Sequence, residues 1–528
     1  MIRINNIKAN LDTSLADLKE IVSIKTGLAP EYIKNLRIAK KSVDARNKTA
    51  VCFVYSLDIE VDGDEDYIFS ILAWKDIELL RPEPPLALIP RQRPALRPIV
   101  VGTGPAGMFA GLALAQMGLN PILLERGKDV DTRRQDVKNF WQSGALNSQS
   151  NVQFGEGGAG TFSDGKLMTG IKKSPLMNMV MRELVAAGAP EEILYLAKPH
   201  IGTDKLVNVV RNIRKKITDL GGEYRFNHQL TGLVVKDGKV CAVKVAAPDN
   251  QELEIAADMV VLALGHSARD TFQMLYDAGM QIEQKPFSVG ARIEHLQSSI
   301  NQAQYGRYAT HPALGAADYK LAVHYPNGRS AYTFCMCPGG TVVAAASEVG
   351  HLVTNGMSEF ARDKTNANAA LLVGVTPQDF GGSHPLQGMY FQQKLEAKAF
   401  ELGGGNYHAP AQLVGDFLRS RPSTKLGAVI PSYHPGVTLT DLNLLFPAYV
   451  SNTLAKAIVD MNQKLKGFAA DDAVLTAIET RSSSPIRMFR DENCESNIKG
   501  IFPCGEGAGY AGGIVSSAVD GLKVCLKG

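Results

Sequence analysis

The chain has 528 residues, of which 45% are hydrophobic and 21% charged, and its formal net charge is +3. This composition is typical of an ordinary soluble globular protein with about two to four domains. The small net charge argues against nucleic acid or an anionic membrane as the main partner. The first residues lack the basic start and apolar run of a signal peptide, and no stretch of about 18 apolar residues could span a bilayer. We therefore expect a cytoplasmic protein without membrane contact.

The seven cysteines are odd in number and scattered, which is not the pattern of a disulfide framework. Only Cys335 and Cys337 lie close together. A single CxC without a second cysteine or histidine pair nearby does not provide the four ligands of a structural zinc site. The sequence therefore predicts neither disulfides nor a bound metal.

Residues 1–80 have the pattern of a small α+β module. Apolar periodicity predicts a first strand, a helix over Leu15–Thr26 after the Thr13-Ser14 cap, and a short helix near 31–35. Strands are predicted at 50–60 and 67–71. Residues 81–97 form a predicted linker, because six prolines fall within residues 81–98 and favour an extended connector.

From residue 98 onward, β and α signals alternate as they do in a parallel, doubly wound sheet. We assign residues 98–284 to the first part of one domain. Residues 491–528 are its C-terminal part, because the chain ends again in a strand, a glycine-rich turn and a helix. Residues 285–490 mix strand-like and helical runs without a second dinucleotide fingerprint, and we interpret them as an α+β cap or substrate domain.

Residues 98–127 carry a dinucleotide-binding fingerprint. Gly102, Gly104 and Gly107 form G-x-G-x-x-G directly after a predicted strand and at the start of a helix. These glycines permit a tight turn, close backbone approach to a pyrophosphate, and close packing of helix on strand, and the helix end supplies free N–H groups. Glu125 ends the next strand, where its carboxylate can accept hydrogen bonds from ribose hydroxyls. The cofactor contacts expected here are Gly102, Gly104, Pro105, Ala106, Gly107, Glu125 and Arg126.

Two later segments indicate FAD rather than NAD. Residues 258–267, DMVVLALGHS, resemble the second signature of FAD flavoproteins of the glutathione-reductase type, with Ala263 and Gly265 in the turn and Leu264 in place of the usual threonine. Residues 500–521 resemble the third signature, in which a glycine and an acid meet the ribityl chain and the next helix points at the flavin. The residues that occupy those places are Gly505, Glu506, Gly512, Gly513 and Ile514.

Residues 154–167, FGEGGAGTFSDGKL, form a glycine-dense loop whose backbone amides and Ser163 can bind an anion or cap a helix. A mobile surface loop is the alternative. In FAD enzymes with a single Rossmann domain, a loop at this point of the chain passes over the pyrophosphate and reaches the flavin. The resemblance implies FAD contacts from Gly157, Gly158, Gly160, Thr161 and Ser163.

The whole sequence resembles an uncharacterised bacterial family of FAD-dependent dehydrogenases. That family carries an extra N-terminal module and the strings FGEGGAGTFSDGKL and GEGAGYAGGI, both present here. The resemblance implies FAD as cofactor and an α/β fold with three parts: a Rossmann-like FAD-binding domain, an α+β cap and a small N-terminal α+β domain. It does not name a substrate.

The catalytic candidates are Lys166, Cys335 and Cys337. A lysine near the flavin could stabilise negative charge on the reduced ring, and a solvated lysine is the alternative. The two cysteines would lie on the same side of an extended strand, either as a thiol pair facing the flavin or as small core residues. Extended geometry resists closing a disulfide between residues i and i+2. Further residues that either meet an anionic substrate or form ordinary salt bridges are His266, Arg292, Glu294, His295 and Arg487.

The leading hypothesis is an FAD-dependent oxidoreductase that acts on a small molecule. Since the chain has no second glycine fingerprint, reducing equivalents come from the substrate or from a transiently docked NAD(P)H. The alternative is an FAD-dependent RNA-modifying protein, with six basic residues between Lys34 and Lys48 as its RNA grip. A flavin-bound scaffold without turnover is a third hypothesis. The sequence does not fix the oligomeric state.

Overall fold

The computed structural model describes residues 1–81, 86–171 and 174–527. Three prolines of the predicted linker, Pro82, Pro84 and Pro85, lie outside the described residues. No helix of the described chain is long and apolar enough to cross a membrane.

The N-terminal module is a four-stranded antiparallel sheet in the order β2-β3-β1-β4, which is the split βαβ topology. Its elements are β1 (Ile2–Ala9), α1 (Leu15–Thr26), β2 (Ile33–Asp44), β3 (Cys52–Val61), α2 (Glu65–Ile71) and β4 (Ile77–Leu79). The predicted helix over Leu15–Thr26 is confirmed, and Ser14 caps it.

Two predictions for this module are wrong. Residues 31–35 are not a helix, because a single 3-10 turn leads directly into the long edge strand β2. Residues 67–71 are not a strand, because the Asp64 side chain accepts hydrogen bonds from the amides of Asp66 and Tyr67 and starts α2 there.

The basic residues proposed as an RNA grip lie on or next to β2. Arg37 pairs with Asp58, Arg46 with Asp44, and Lys34 with Asp62. The ammonium of Lys41 lies 4.1 Å from the ring centre of Phe53. Four of the six basic side chains therefore already have partners within the module, which leaves them less available to phosphate. RNA binding stays a prediction.

The central sheet has five parallel strands in the order β23-β11-β5-β6-β7. Its first part contains β5 (Ile99–Val101), α3 (Pro105–Gln116), β6 (Ile122–Glu125), α4 (Val130–Ser143), α5 (Pro175–Ala186), α6 (Thr203–Asp219), β7 (Glu223–Phe226), β8 (Gln229–Lys236), β9 (Lys239–Ala246), β10 (Glu252–Ala256), β11 (Val260–Leu262) and α7 (Arg269–Asp277). Apolar residues of α3, α5 and α6 pack on one face of the sheet. The antiparallel sheet β8-β9-β10 packs on the other face. The short central strands are buried on both sides, which explains why they are wholly apolar.

Between the two parts of the central sheet, the chain builds a seven-stranded sheet in the order β14-β15-β18-β13-β21-β19-β20, which is antiparallel except for the β19–β20 pair. Its segment contains β12 (Ile282–Gln284), β13 (Phe287–Leu296), α8 (Gln297–Tyr305), β14 (Ala322–His324), β15 (Ser330–Cys337), β16 (Thr341–Ala344), β17 (Thr354–Met357), β18 (Asn366–Val375), α9 (Pro377–Phe380), α10 (Gln387–Leu402), β19 (Ala409–Leu413), α11 (Val414–Leu418), β20 (Val437–Leu439), α12 (Ala448–Lys464), β21 (Val474–Glu479) and β22 (Ile486–Met488). This sheet and its helices form a separate hydrophobic core, and we call this part the cap.

The C-terminal segment returns to the central sheet. Strand β23 (Ile501–Pro503) pairs in parallel with β11, and α13 (Ile514–Lys527) packs against α3. The contact between these helices is close, since the Cys525 thiol lies 3.5 Å from the carbonyl oxygen of Ala110. The two ends of the Rossmann-type unit are thereby joined across more than two hundred residues of intervening chain.

Candidate functional site

A cavity of about 1060 Å³ lies at the carboxyl ends of β5, β6 and β11 and extends to the cap. This edge is where open parallel sheets bind ligands. The cavity exceeds the upper range of about 1,000 Å³ for pockets that hold drug-sized molecules, so it accommodates a dinucleotide-sized ligand.

The fingerprint glycines form the turn between β5 and α3. Gly102 has a φ of 93°, in the left-handed region, and a side chain there would collide with the backbone of Ala263. A side chain at Gly107 would overlap the carbonyl oxygen of Gly102. Gly104 is the N-cap of α3 and offers no side-chain cap, so the first-turn amides keep their hydrogen-bonding capacity for an anion.

Glu125 lies at the cavity wall, and its carboxylate already accepts four hydrogen bonds. One oxygen accepts from the backbone N–H (2.9 Å) and hydroxyl (2.7 Å) of Thr103. The other accepts from the amides of Gly127 (2.9 Å) and Gly155 (3.0 Å). The carboxylate thus fixes the turn after β5 against the glycine-rich loop, and the predicted ribose contact stays a prediction.

The glycine-rich loop is organised by Arg133 of α4, a residue that sequence reasoning missed. Its fully buried guanidinium donates to five backbone carbonyl oxygens, those of residues 151, 152, 155, 156 and 158. Because a carbonyl and the following N–H point in opposite directions in a trans peptide, the amide of Ala159 faces away from Arg133. Ala159, Gly158 and Gly160 line the cavity.

The second and third signatures form the wall beside the glycine turn. Ala263, Gly265 and Glu506 line the cavity, as do the residues before α13. Burial raises the pKa of Glu506 to about 7, although the nearby Lys285 opposes the shift. Burial also lowers the pKa of His266, which lines the same wall, to about 3, so this imidazole is neutral at physiological pH.

Five of the predicted cofactor contacts and catalytic candidates do not line this cavity. Gly107 and Gly505 serve packing: a side chain at Gly505 would press on Ala106, and its amide donates to Asp520 (2.8 Å). Gly157 and Thr161 line a small crevice beside α6 instead. Cys337 is buried. The predicted residues that do line the cavity are Gly102, Gly104, Pro105, Ala106, Glu125, Arg126, Gly158, Gly160, Ser163, Lys166, Ala263, Gly265, Cys335, Glu506, Gly512, Gly513 and Ile514.

Lys166 is not a solvated surface residue. Its ammonium donates to the buried carboxylate of Asp164 (2.8 Å) and to the carbonyl oxygen of Met336. Arg362 pairs with the same carboxylate. Although burial lowers it, the negative charge of Asp164 keeps the pKa of Lys166 above its ordinary value. Lys166 is therefore a permanent cation at the junction of the glycine-rich loop and the cap.

The expected extended geometry at Cys335 and Cys337 is wrong. The ladder between β15 and β18 shifts register between Phe334 and Cys337, and Cys335 has a φ of 40°. Because of this bulge, the two side chains lie in different environments. Cys335 lines the cavity, and Cys337 is buried.

The other polar candidates mostly form internal contacts. Arg292 and Glu479 are a buried ion pair, and burial raises the pKa of Glu479 to about 7 despite the arginine. Glu294 accepts from Ser432 and Asn366, and a ring nitrogen of His295 lies 2.9 Å from the Phe468 carbonyl oxygen. The Arg487 guanidinium lies 5.3 Å from the ring centre of Tyr510.

Residues of the cap complete the cavity, and no sequence motif predicted them as site residues. Among them are Tyr319, Asn355, Glu479 and Arg481. They come from three separate segments of the chain, with Glu479 and Arg481 both at the end of β21, so only the folded cap brings them together.

Comparison with known proteins supports this picture. Residues 286–482, which cover most of the cap, match a family model described as "FAD-dependent protein, C-terminal domain-like", and residues 1–60 match a domain of unknown function (DUF8436). A Clostridium beijerinckii protein named "Uncharacterized protein" is 50% identical over 527 residues, which cover 99% of this chain and 97% of the clostridial one.

Two similar solved structures are much more distant. The glycerol-3-phosphate dehydrogenase from Bacillus halodurans complexed with FAD has a TM-score of 0.34 and 12% identity, over 81% of this chain and 62% of that chain. E. coli quinol fumarate reductase has a TM-score of 0.36 and 11% identity, over 81% of this chain and 69% of that chain.

The five-stranded parallel sheet, the glycine turn and the cavity define an α/β protein with a Rossmann-type, FAD-binding fold. The match to the FAD-dependent family model supports FAD as the cofactor. Within this class, the chain belongs to the same family as the Clostridium beijerinckii protein.

Proposed function

We propose that the protein is an FAD-dependent oxidoreductase that moves reducing equivalents between the flavin and a small molecule held under the cap. The observation that carries the proposal is the continuity of one cavity, from the glycine turn at Gly104 to the cap residues Cys335 and Glu479. A dinucleotide in the first part leaves space for a second molecule beside the cap.

The residues present fit FAD. The first turns of α3 and α13 both begin at the cavity after glycines that lack side-chain caps. An anion is stabilised at such helix ends by free N–H groups and by the helix dipole. Gly104 and Gly158 face each other across the turn, since a Cβ built on Gly104 would lie 3.7 Å from the Gly158 Cα. The pyrophosphate would lie beside these two glycines, at the free amides of the first turn of α3.

When bound, the flavin supplies the two-electron chemistry. The chain's own residues position the reacting molecules and polarise the cavity. Lys166 supplies a fixed positive charge at the cap side, and Glu506 holds a proton up to about pH 7. Tyr319 is 5% exposed, and its hydroxyl has no hydrogen-bond partner among the described residues. The hydroxyl itself is buried, so Tyr319 contributes to the wall of the cavity without offering a donor to it.

The reductant is either the substrate or NAD(P)H that docks transiently. Anaerobic stopped-flow mixing of the FAD-loaded protein with NADPH and with NADH tests the choice. Fast, saturable bleaching near roughly 450 nm, where oxidised flavin absorbs, would identify a nicotinamide donor. Bleaching that is slow and linear in concentration with both nucleotides would identify the substrate as the only donor.

The proposal as a whole is tested by purification. The protein should be yellow, or become yellow with added FAD in a ratio of one flavin per chain. A folded, colourless protein that does not bind FAD would overturn the proposal.

A further inference from the structure

The bulge at the end of β15 builds a polarised thiol pair. With φ at 40°, Cys335 leaves the extended conformation, which would hold residues 335 and 337 furthest apart. The Cys337 sulfur lies 3.3 Å from the carbonyl oxygen of Cys335. The geometric obstacle to pairing two cysteines across an extended strand is therefore absent here.

Two buried cations hold the backbone on either side of this bulge. Arg292 donates to the carbonyl oxygen of Cys335 (2.8 Å), and Lys166 donates to that of Met336. A hydrogen bond from the Cys337 thiol, together with these charges and against the effect of burial, lowers the pKa of Cys335 to about 5. The same hydrogen bond raises the pKa of Cys337. The acidic groups that face the pair are Asp164, Glu479 and Glu506.

The pair has the arrangement needed for disulfide exchange. Cys335 is partly exposed in the cavity, whereas Cys337 is buried behind it. An accessible thiolate attacks, and a neighbouring thiol then resolves the mixed disulfide. A substrate with a carbon electrophile would have no use for the second thiol.

We propose that Cys335 is the nucleophilic thiolate of this cavity, that Cys337 is its resolving thiol, and that the site takes a small disulfide. This inference rests on the proposed flavin-dependent function, because flavin reduced by transiently docked NAD(P)H, one of the two donors named there, regenerates the pair.

Each step balances. The Cys335 thiolate forms a bond to one substrate sulfur, the substrate S–S bond breaks, and one thiolate leaves and takes a proton from solvent. Cys337 then loses its proton to the second leaving thiol and bonds to the Cys335 sulfur. The resulting disulfide accepts two electrons and one proton from reduced flavin, which returns one thiolate and one thiol.

Holoenzyme mixed with the chromogenic disulfide dithiobis(nitrobenzoate) at pH 6 tests the pair directly. The wild type should release two thionitrobenzoates in a fast phase and retain no adduct on Cys335 in its peptide map. Cys337→Ser should release one and keep the adduct, because nothing resolves it. Cys335→Ser should lose the fast phase by about tenfold or more, since burial raises the pKa of Cys504, the other thiol that lines the cavity. Cys241→Ser removes an exposed thiol outside the cavity and should leave the fast phase intact.

The iodoacetamide alkylation rate of Cys335 should fall as the pH drops through about 5. An adduct retained on Cys335 in the wild type, or a Cys335→Ser fast phase equal to that of the wild type, would overturn the inference. The link to the flavin is tested on protein first oxidised with the reagent. Anaerobic reduction should then consume four electrons per flavin in the wild type and two in Cys335→Ser. Consumption of two electrons per flavin in both the wild type and Cys335→Ser would show that the flavin does not reduce the cysteine pair. Failure to bind FAD would instead contradict the proposed function. The reaction with the chromogenic disulfide would still decide whether Cys335 and Cys337 act as a pair.

Discussion

At the scale of single residues, the glycine turn separates two roles that the motif combines. Gly104 has a φ of −70°, which any residue adopts, and a Cβ there meets only ordinary contact at 3.7 Å. Gly107 has no space, because a Cβ would overlap the carbonyl oxygen of Gly102. Gly104 is therefore needed for ligand binding, and Gly107 is needed for the packing of the fold.

Substituting these two glycines should give opposite patterns. Gly104→Ala should keep the free energy of unfolding of the apoprotein within about 0.5 kcal/mol but weaken FAD binding by about tenfold or more, since the methyl group occupies space that the pyrophosphate needs. Gly107→Ala should destabilise the apoprotein by about 1–3 kcal/mol through overpacking. Urea unfolding and FAD titration measure both quantities. Tight FAD binding by Gly104→Ala would contradict the assignment of the pyrophosphate to this turn.

Glu506 should make stability depend on pH. Its pKa of about 7 in the folded protein exceeds the ordinary value of 4.5, so the folded state binds this proton more tightly than the unfolded state. The contribution is therefore complete below about pH 4.5 and is lost as the pH rises through about 7.

Between pH 5 and pH 8, the free energy of unfolding of the wild-type apoprotein should fall more than that of Glu506→Gln, by on the order of 2 kcal/mol. Denaturant titrations at both pH values measure this difference. Glu492→Gln, an exposed residue nearby, is the control and should follow the wild type. Parallel pH profiles for the wild type and Glu506→Gln would show that burial does not perturb this carboxyl group.

At the scale of elements, β2 attaches the N-terminal module to the main body. This edge strand also forms backbone hydrogen bonds outside its own sheet. The Lys41 amide donates to the Tyr195 carbonyl oxygen (2.8 Å), and the Ala197 amide donates to the Lys41 carbonyl oxygen (2.9 Å). Both groups point away from β3, so the bridge is independent of the β2–β3 ladder. A second contact joins Thr49 to Arg307.

Lys41→Pro should loosen this attachment without unfolding the module, because proline removes only the outward N–H. Losing one such hydrogen bond costs about 1 kcal/mol, so amide exchange at Ala197 should rise about fivefold while FAD affinity stays unchanged. Lys41→Ala keeps both backbone bonds and is the matched control. Hydrogen exchange resolved by residue is the measurement, and equal protection of Ala197 in both variants would show that the bridge does not hold the module.

The elements also show which features are readable from sequence. Helix α1 was predicted to the residue because a Ser14 cap and apolar periodicity agree. Strand β2 was missed because charged side chains occupy an edge strand whose stability comes from its ladder and from the attachment at Tyr195. The bulge at Cys335 was missed because a register shift depends on the partner strand β18.

The residues of the site likewise fall into those that a local sequence motif predicts and those that only the folded structure reveals. The glycine turn and Glu125 lie within a short stretch of chain, and a local motif reports them. Arg133 acts on backbone carbonyls, which leave no trace in the sequence of the loop they belong to. Tyr319 and Glu479 reach the cavity only through the order of strands in the cap.

At the scale of the whole molecule, a buried ionic network joins the central sheet to the cap. Arg269 of α7 and Arg481, which follows β21, both pair with Glu396 of α10, at 2.7 and 2.8 Å. Glu396 is fully buried, and although burial raises its pKa, the two guanidinium groups outweigh that effect and lower it. The carboxylate therefore contributes stability above about pH 4.5, and that contribution is lost as the pH falls through the folded pKa.

Glu396→Gln should destabilise the protein by about 3–5 kcal/mol, because the amide leaves the buried Arg481 without a paired carboxylate among the described residues and Arg269 with Glu348 alone. Since Arg269 belongs to α7 of the central-sheet unit and Arg481 to the cap, the substitution should also separate the unfolding of the cap from that of the central sheet, so that FAD release and loss of circular dichroism occur at different urea concentrations. Glu401→Gln, on the exposed side of the same helix, should match the wild type in both signals. A single coincident transition in Glu396→Gln at the wild-type midpoint would mean that apolar packing alone couples the two parts, and that the network instead positions Arg481 at the cavity.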